Sequence, residues 1–171
     1  MLGKTQELCR LAGTLIRQIE PHSPWANRAE LYVGLFKKGI GNSLKSTDCP
    51  MVLWDYCVER NAKVNNVTAK DLFQLKGQTP HFSVTGEMGD ISALCQFDFY
   101  DWCYFRDSAQ KFPFPQQVLG RVLGPSDNVG NGMTQWILRA DGKVLPRQTC
   151  RPLTAEELGS DTEKVKRDAF D

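Results

Sequence analysis

The spacing of apolar residues changes between the two halves of the chain, and this change limits the folds that it can adopt. Across residues 29–44, apolar side chains recur every three or four positions, which is typical of a helix with one apolar side. Residues 95–106 are aromatic and roughly alternating, and Asp141-Gly142 lies between two extended runs. An Asp-Gly pair in that setting is a strong signal for a β-hairpin. The sequence therefore predicts a helical first half and a second half of short strands, which favours a small barrel.

Three further segments before residue 66 have a predictable structure. Residues 4–12 favour a short helix that ends at Gly13. Residues 14–20 alternate like a strand, and the prolines that follow would end it because proline lacks the N–H that a ladder requires. Residues 46–64 favour a second long helix. Its N-cap is expected to be one of Ser46, Thr47 and Asp48.

The composition is that of an ordinary globular protein. Hydrophobic residues make up 41% and charged residues 24% of the 171 positions, which disfavours wholesale disorder or a fibrous repeat. No apolar run approaches the roughly 20 residues that span a bilayer, and the first residues lack the apolar core of a signal peptide. The sequence therefore predicts an intracellular protein with no membrane partner.

The cysteines and histidines do not form a metal-binding pattern. Six cysteines are scattered along the chain without a C-x-x-C pair, and there are only two histidines. A structural zinc site is therefore not expected. In a reducing compartment, most of these thiols are expected to be small buried hydrophobes.

The net charge of +1 hides a division along the chain. Residues 154–171 contain six acidic and three basic residues. The preceding part has 18 basic and 14 acidic residues, and therefore a net charge of +4. Such a body tolerates a polyanionic partner without requiring one.

The segment EPHSPWANRAE, residues 20–30, stands where a strand would lead into the first long helix. Glu30 has three possible roles there. With Asn27 as N-cap, Glu30 takes the third helical position, and Asn-x-x-Glu is a variant of the capping box. Glu30 can instead be a salt-bridge partner or a ligand of a catalytic metal.

The side of this helix that is opposite its apolar residues is cationic and low in profile. Within a stripe of roughly 100° lie Glu30, Gly34, Lys37, Gly41 and Lys45. The lysines can form an ordinary solvated side, or together with Lys38 they can contact the phosphates of a nucleic acid.

Several motifs then occur in a characteristic order. They are EPHSPWANRAE, an amphipathic basic helix, LWDYCVER, GQTP, DIS and LGRVLGPSDNVGNGMTQWILRADGKVLPRQT. From about residue 4 to residue 153, this order resembles the integrase region of copia-type retrotransposon polyproteins. The resemblance implies an α/β plus all-β protein: part of a ribonuclease H-like core in 1–66, a connector in 67–93 and a small SH3-like barrel in 94–153. Residues 154–171 would be an acidic, disordered tail.

The resemblance also implies a chemistry. Integrases of this kind use two aspartates and one glutamate to hold two divalent ions, which support an in-line phosphoryl displacement on DNA. Glu30 would be the third acid, and Mg²⁺ or Mn²⁺ suits its hard oxygen ligands. The residues expected to contact the DNA partner are Asn27, Arg28, Lys37, Lys38 and Lys45.

Two features depart from the pattern of that family. Residues 1–29 contain no aspartate, and a zinc-binding N-terminal segment is missing as well. The expectation is therefore a truncated integrase that binds no metal stably and has no strand-transfer activity by itself. Retained functions would be nucleic-acid binding in the nucleus or assembly with fuller integrase copies, and otherwise the protein would be cytoplasmic. The alternative is a host-retained SH3-like interaction or chromatin-binding module without catalysis.

The aromatic run in 95–106 has two interpretations. It can be barrel core, or alternation can expose Tyr100, Trp102 and Tyr104 beside Arg106, where they would stack on bases. Two other tryptophans are assigned to the core, Trp54 and Trp136. The arginines that can form a basic rim on the barrel are Arg121, Arg139, Arg147 and Arg151.

Overall fold

The chain forms two compact units. The computed structural model describes residues 2–14, 28–107, 112–113, 116–130 and 132–170. The units are Met1–Lys38 and Gly39–Asp171. The sequence placed its first boundary at residue 66 instead.

The first unit contains helix α1 (Leu2–Leu11) and the start of helix α2 (Arg28–Ser46). Helix α1 is followed by Gly13, whose φ of 67° lies in the left-handed region that favours glycine, so the predicted helix end is confirmed. Residues 15–20 of the predicted strand lie outside the described residues. The predicted helix in α2 is confirmed, but its expected apolar side is exposed at Tyr32 and Val33.

The second unit contains several helices around one sheet. After a 3-10 turn (Met51–Leu53), its helices are α3 (Trp54–Val67), α4 (Pro80–Thr85), α5 (Ser92–Cys95), α6 (Ala155–Gly159) and α7 (Asp161–Asp168). Thr79 caps α4 by accepting a hydrogen bond from the backbone N–H of Phe82, and Pro80 begins the helix, so the end of the GQTP motif starts α4.

The expected N-cap of the second long helix is wrong. Ser46 still belongs to α2, and the Thr47 hydroxyl donates to the backbone carbonyl of Ser43 at 2.9 Å. Helix α3 has Leu53 at its N-cap position, without a side-chain hydrogen bond. The 3-10 turn after Pro50 takes over the start of the helix because it already directs the chain into helical geometry.

Five strands form one antiparallel sheet in the order β4-β3-β2-β1-β5. The strands are β1 (Trp102–Arg106), β2 (Gln117–Pro125), β3 (Gln135–Leu138), β4 (Val144–Arg147) and β5 (Cys150–Pro152). The predicted hairpin joins β3 to β4, and Gly142 has the positive φ of 78° that its turn requires. A mixed α/β protein with an antiparallel sheet is therefore confirmed.

Apolar residues are buried on both sides of this sheet. On one side, Cys103, Phe105 and Ile137 form a cluster with neighbouring side chains. On the other side, Leu123 of β2 packs with Cys57 of α3 in a second cluster. Because α3 packs on the sheet, the predicted boundary at residue 66 does not coincide with the edge of the second unit.

Of the two interpretations of the aromatic run, exposure is wrong at two positions, where the core interpretation is confirmed. Tyr100 and Tyr104 are buried, and Trp102 is partly buried. Tyr100 has a φ of 65°, so the chain turns there and the strict alternation starts only afterwards. Tyr104 packs with Leu119 and Leu153 on the side of the sheet opposite Cys103 and Phe105, which we call the outer side.

The two tryptophans assigned to the core differ. Trp54 is 56% exposed, so its assignment is wrong. It occupies the first position of α3, whose buried face is at Cys57. Trp136 is partly buried and lies edge-on to Tyr56, with ring centroids 6.3 Å apart.

The expectation of a disordered C-terminal tail is wrong for residues 155–168, which form α6 and α7. A capping box starts α6: the Thr154 hydroxyl accepts from the N–H of Glu157, and the Glu157 carboxylate accepts from the N–H of Thr154. Phe170 then packs against two of the buried clusters. Composition alone conceals this local order because most of the charges lie on exposed positions.

Gly120 provides a test of the packing inside the sheet. A Cβ at this position would lie 2.6 Å from Ile137 Cγ2 and 2.9 Å from the backbone oxygen of Leu138. We expect Gly120→Ala to lower the free energy of unfolding by about 1–3 kcal/mol through overpacking, as measured by urea denaturation. Gly41→Ala is the control, since nothing lies within 4 Å of its Cβ position in α2. Equal stability of the two variants would contradict the described register.

Candidate nucleic-acid interface

Helix α2 carries most of the residues that the sequence predicts for metal and DNA. Glu30 lies in its first turn and is exposed, and Lys37, Lys38 and Lys45 are exposed as well. Asn27 and the side chain of Arg28 lie outside the described residues. The capping interpretation of Glu30 depends on Asn27 and therefore stays a prediction.

The three lysines of α2 form no ion pair with an acid in the described part of the chain. Many cations of the second unit do: Arg60 lies 3.4 Å from Asp98, and Lys63 lies 2.9 Å from Asp127. Further ion pairs join Arg139 to Asp107, Arg151 to Glu157 and Lys166 to Glu163. A phosphate would have to displace a carboxylate at those sites, whereas the lysines of α2 are available to it.

The described residues do not fit a two-metal centre. A pair of divalent ions needs several convergent oxygen ligands, and Glu30 supplies one carboxylate. Across 2–14, 28–107 and the other described ranges, no group of three or more His, Cys, Asp and Glu side chains is placed to hold a metal ion. We therefore derive no catalytic step through Mg²⁺ or Mn²⁺.

A second candidate surface lies on the outer side of the sheet. We name it the cation–aromatic face, and it consists of Trp102, Tyr104, Arg121 and Arg151. The Arg121 guanidinium lies 3.3 Å from the centroid of the Trp102 ring, and that of Arg151 lies 5.0 Å from the centroid of the Tyr104 ring. The β1 register explains this grouping, since Trp102 pairs with Arg121 on β2 and Tyr104 pairs with Arg151 on β5.

The Arg151 end of this face is closed by Glu157 of α6. The two guanidinium nitrogens of Arg151 donate to the two carboxylate oxygens of Glu157 at 2.7 and 2.8 Å. This bidentate pair is the main reason that the pKa of Glu157 is lowered to about 2, and the N–H of Thr154 lowers it further. The same pair raises the pKa of Arg151.

The Tyr104 end is closed by α7. The Tyr104 hydroxyl donates to the Glu163 carboxylate, and Lys166 donates to the other oxygen of that carboxylate at 2.6 Å. Lys166, and then Tyr104, lower the pKa of Glu163, while burial raises the pKa of Tyr104. The ring of Phe170 meets Trp102 edge-on, with centroids 5.2 Å apart.

The four arginines expected on a basic rim have different contacts. Arg121 and Arg151 belong to the cation–aromatic face. Arg139 lies 3.3 Å from the buried carboxylate of Asp107, and Arg147 donates to a neighbouring backbone carbonyl. Only the first two therefore have the aromatic neighbours that nucleobase recognition would use.

Sequence reasoning missed the acidic side of this arrangement, because residues 154–171 were expected to be disordered. One signal was present: Thr154 and Glu157 stand three positions apart, which is the spacing of a capping box. The contact between α7 and Tyr104 has no comparable signal, since it joins residues that are 59 positions apart.

The cysteines partly match their expected role. Cys49, Cys57 and Cys103 are buried, whereas Cys95 is exposed. Burial raises the pKa of Cys49 to about 11 and raises the pKa of Cys57 and Cys103 as well. Protonated thiols are poor nucleophiles and poor metal ligands.

In the described part of the chain, no helix is long and apolar enough to cross a membrane.

The low pKa of Glu157 gives a pH test of the closed face. Because its folded pKa of about 2 is below the ordinary 4.5, the contact stabilises α6 above pH 4.5 and is lost as the pH falls toward 2. We expect Arg151→Met to raise the pKa of Glu157 toward 4.5, as followed by NMR of its side-chain carboxyl during an acid titration. Lys164→Met, which removes an exposed cation of α7, should leave this pKa low. An unchanged pKa in Arg151→Met would contradict the described pair.

Comparisons with known proteins leave the family of the chain open. Family models, curated proteins and solved structures give no match to it. The resemblance to copia-type integrases therefore stays a prediction.

Proposed function

We propose that this chain is a nucleic-acid-binding protein related to the integrase region of copia-type retrotransposons, and that it does not catalyse strand transfer by itself. Its DNA-binding surface is helix α2, with Lys37, Lys38 and Lys45 as phosphate contacts. In an intact integrase, Glu30 would be the third acid of the metal site.

The order of elements supports this relationship. A long helix that begins just after Asn27 is followed by further helices and then by the five-stranded antiparallel sheet. In this sheet, four successive strands, β1 to β4, form a meander, and β5 returns beside β1. Such an order suits a small barrel, which agrees with the SH3-like unit that the resemblance implies.

The observation that carries the proposal is the state of the lysines on α2. All three are exposed and lack an acidic partner among the described residues, whereas six cations of the second unit are held in ion pairs. Binding of phosphate at α2 therefore breaks no ion pair that the structure describes. It releases counterions from the nucleic acid, which favours association at low salt.

The second candidate function is a host interaction module without catalysis, acting on a protein or on chromatin. It is favoured by an exposed apolar patch at the start of α3: Met51, Val52 and Trp54 are 72%, 79% and 56% exposed. Exposed large apolar side chains in one place are typical of protein-binding surfaces. Failure of the unchanged chain to bind duplex DNA would favour this alternative.

The salt dependence of DNA binding tests the lysines of α2. We expect the chain to bind duplex DNA in a fluorescence anisotropy assay, with an affinity that falls steeply as salt rises. Changing Lys37, Lys38 and Lys45 together to Gln should weaken binding and flatten the plot of log affinity against log salt by about one unit per lysine.

The control removes the same charge elsewhere. Lys76, Lys143 and Lys164 are exposed lysines of the second unit, and Lys143 lies 3.9 Å from Asp141. Their joint change to Gln alters the net charge equally. We expect this variant to keep most of the salt dependence. An equal loss in both variants would mean that net charge, rather than α2, attracts the DNA.

Strand transfer tests the catalytic part of the proposal. With Mg²⁺ or Mn²⁺ supplied, we expect the chain and its Glu30→Ala variant to give the same background in joining DNA ends, since one carboxylate cannot hold a pair of divalent ions in place. Glu87→Ala is a control for the loss of an exposed carboxylate. End joining by the chain that is lost in Glu30→Ala and kept in Glu87→Ala would contradict a non-catalytic role.

A further inference from the structure

The C-terminal helices occupy the cation–aromatic face through two kinds of contact. The first kind is apolar: Phe170 makes a T-shaped contact with Trp102 and packs with the cluster of Tyr104, Leu119 and Leu153. The aromatic side chains of the face are therefore covered by the end of the chain. Without α6 and α7, the outer side of β1 would be open at this point.

The second kind of contact is charged. Glu157 takes both guanidinium nitrogens of Arg151, and Glu163 accepts from Tyr104 and Lys166. A guanidinium fork that binds a carboxylate in this way has the geometry to bind a phosphate in the same way. The carboxylate of Glu157 thus takes the place that a phosphate would take on Arg151.

Contacts between α6 and α7 hold these two helices together, and we name the pair the cover. Arg167 of α7 donates to the backbone carbonyls of Glu157 and Leu158 at the end of α6, at 3.4 and 2.9 Å. The bond to Leu158 satisfies one of the carbonyls at the helix end, and the Glu157 carbonyl also accepts from the N–H of Ser160. Displacement of α7 therefore weakens the hold of α6 on Arg151.

We propose that α6 and α7 cover a second nucleic-acid surface, and that single-stranded nucleic acid binds the cation–aromatic face once these helices move away. Aromatic rings that stack on bases, beside cations that contact the backbone, are the combination that single strands use. Trp102 and Tyr104 supply the rings, and Arg121 and Arg151 supply the cations. This surface is separate from the lysines of α2 and does not depend on the function proposed for them.

The cover sets the apparent affinity of this surface. A ligand that binds only the open form has its affinity reduced by the fraction of molecules that are open. Because α6 follows β5 after two residues, Leu153 and Thr154, the helices remain close to the face even when they are displaced. Weakening the cover raises the open fraction without changing the binding residues.

The experiment weakens the cover in the full chain. The release variant combines Glu157→Gln, Glu163→Gln and Phe170→Ala, in a background where Lys37, Lys38 and Lys45 are Gln, so that α2 does not contribute. Binding of a fluorescent oligothymidylate is measured by anisotropy. We expect the release variant to bind about tenfold more tightly than its background, as it would if the face were open in one molecule out of ten before release.

A matched control separates the cover from net charge. Glu156→Gln with Asp161→Asn removes two exposed acids from the same helices, and no contact of these side chains with the sheet is described. We expect it to change the affinity little. Adding Arg121→Gln and Arg151→Gln to the release variant should abolish its gain.

Three outcomes would overturn the proposal. One is a release variant that binds no more tightly than the matched control. Another is a gain that survives the loss of both arginines. The third is a gain for a polyglutamate peptide without a gain for the oligothymidylate, which would assign the face to an acidic protein. If the release variant fails to fold by circular dichroism, the variant that keeps Phe170 decides, with a smaller gain expected in the same direction.

Discussion

Strand β1 is covered on both of its sides, and the arrangement of the second unit depends on this. Cys103 and Phe105 face the inner cluster, while Tyr104 faces the outer one. A strand with two buried sides cannot leave either of them to water without losing the free energy of apolar burial, about 25 cal/mol for each Å². The inner side is closed by the other strands. The outer side of the sheet is covered by α3 over β2 and by the C-terminal helices over β1.

The distribution of charge follows from the same constraint. Cations on the outer side of the sheet stand next to acids that the covering segments bring, as with Arg151 and Glu157. The net charge of the chain is close to zero, but its charges are unevenly distributed. Many cations of the second unit are paired with nearby acids, whereas the lysines of α2 lack acidic partners in the described ranges. Long-range attraction of a polyanion depends on charges that are not compensated nearby. For this reason we propose α2 as the site of first contact with DNA.

Sequence reasoning succeeded where a local pattern decides the structure. The period of 3.6 residues indicated α2, and Asp141-Gly142 indicated the hairpin between β3 and β4. It failed where distant parts of the chain decide. Strict alternation would expose Tyr100, but a backbone turn and packing in the cluster with Cys57 of α3 bury it.

The candidate site shows the same division. The lysines of α2 could be placed on one stripe because helical spacing sets their positions, and all three are exposed. Their role as phosphate contacts stays a prediction. The closure of Arg151 by Glu157 could not be predicted from composition, since an acidic segment is usually solvated and disordered. Local capping and the packing of Phe170 outweigh that tendency here.

The buried thiols make the two sides of the sheet separately observable. Cys57 belongs to the cluster beneath α3, and Cys103 belongs to the inner cluster. An alkylating reagent attacks the thiolate, and both side chains are inaccessible and have raised pKa values while the chain stays closed. Their modification therefore requires that the surrounding structure open. The rate at which Cys57 or Cys103 is modified therefore reports the transient opening of its own buried cluster, without any added label.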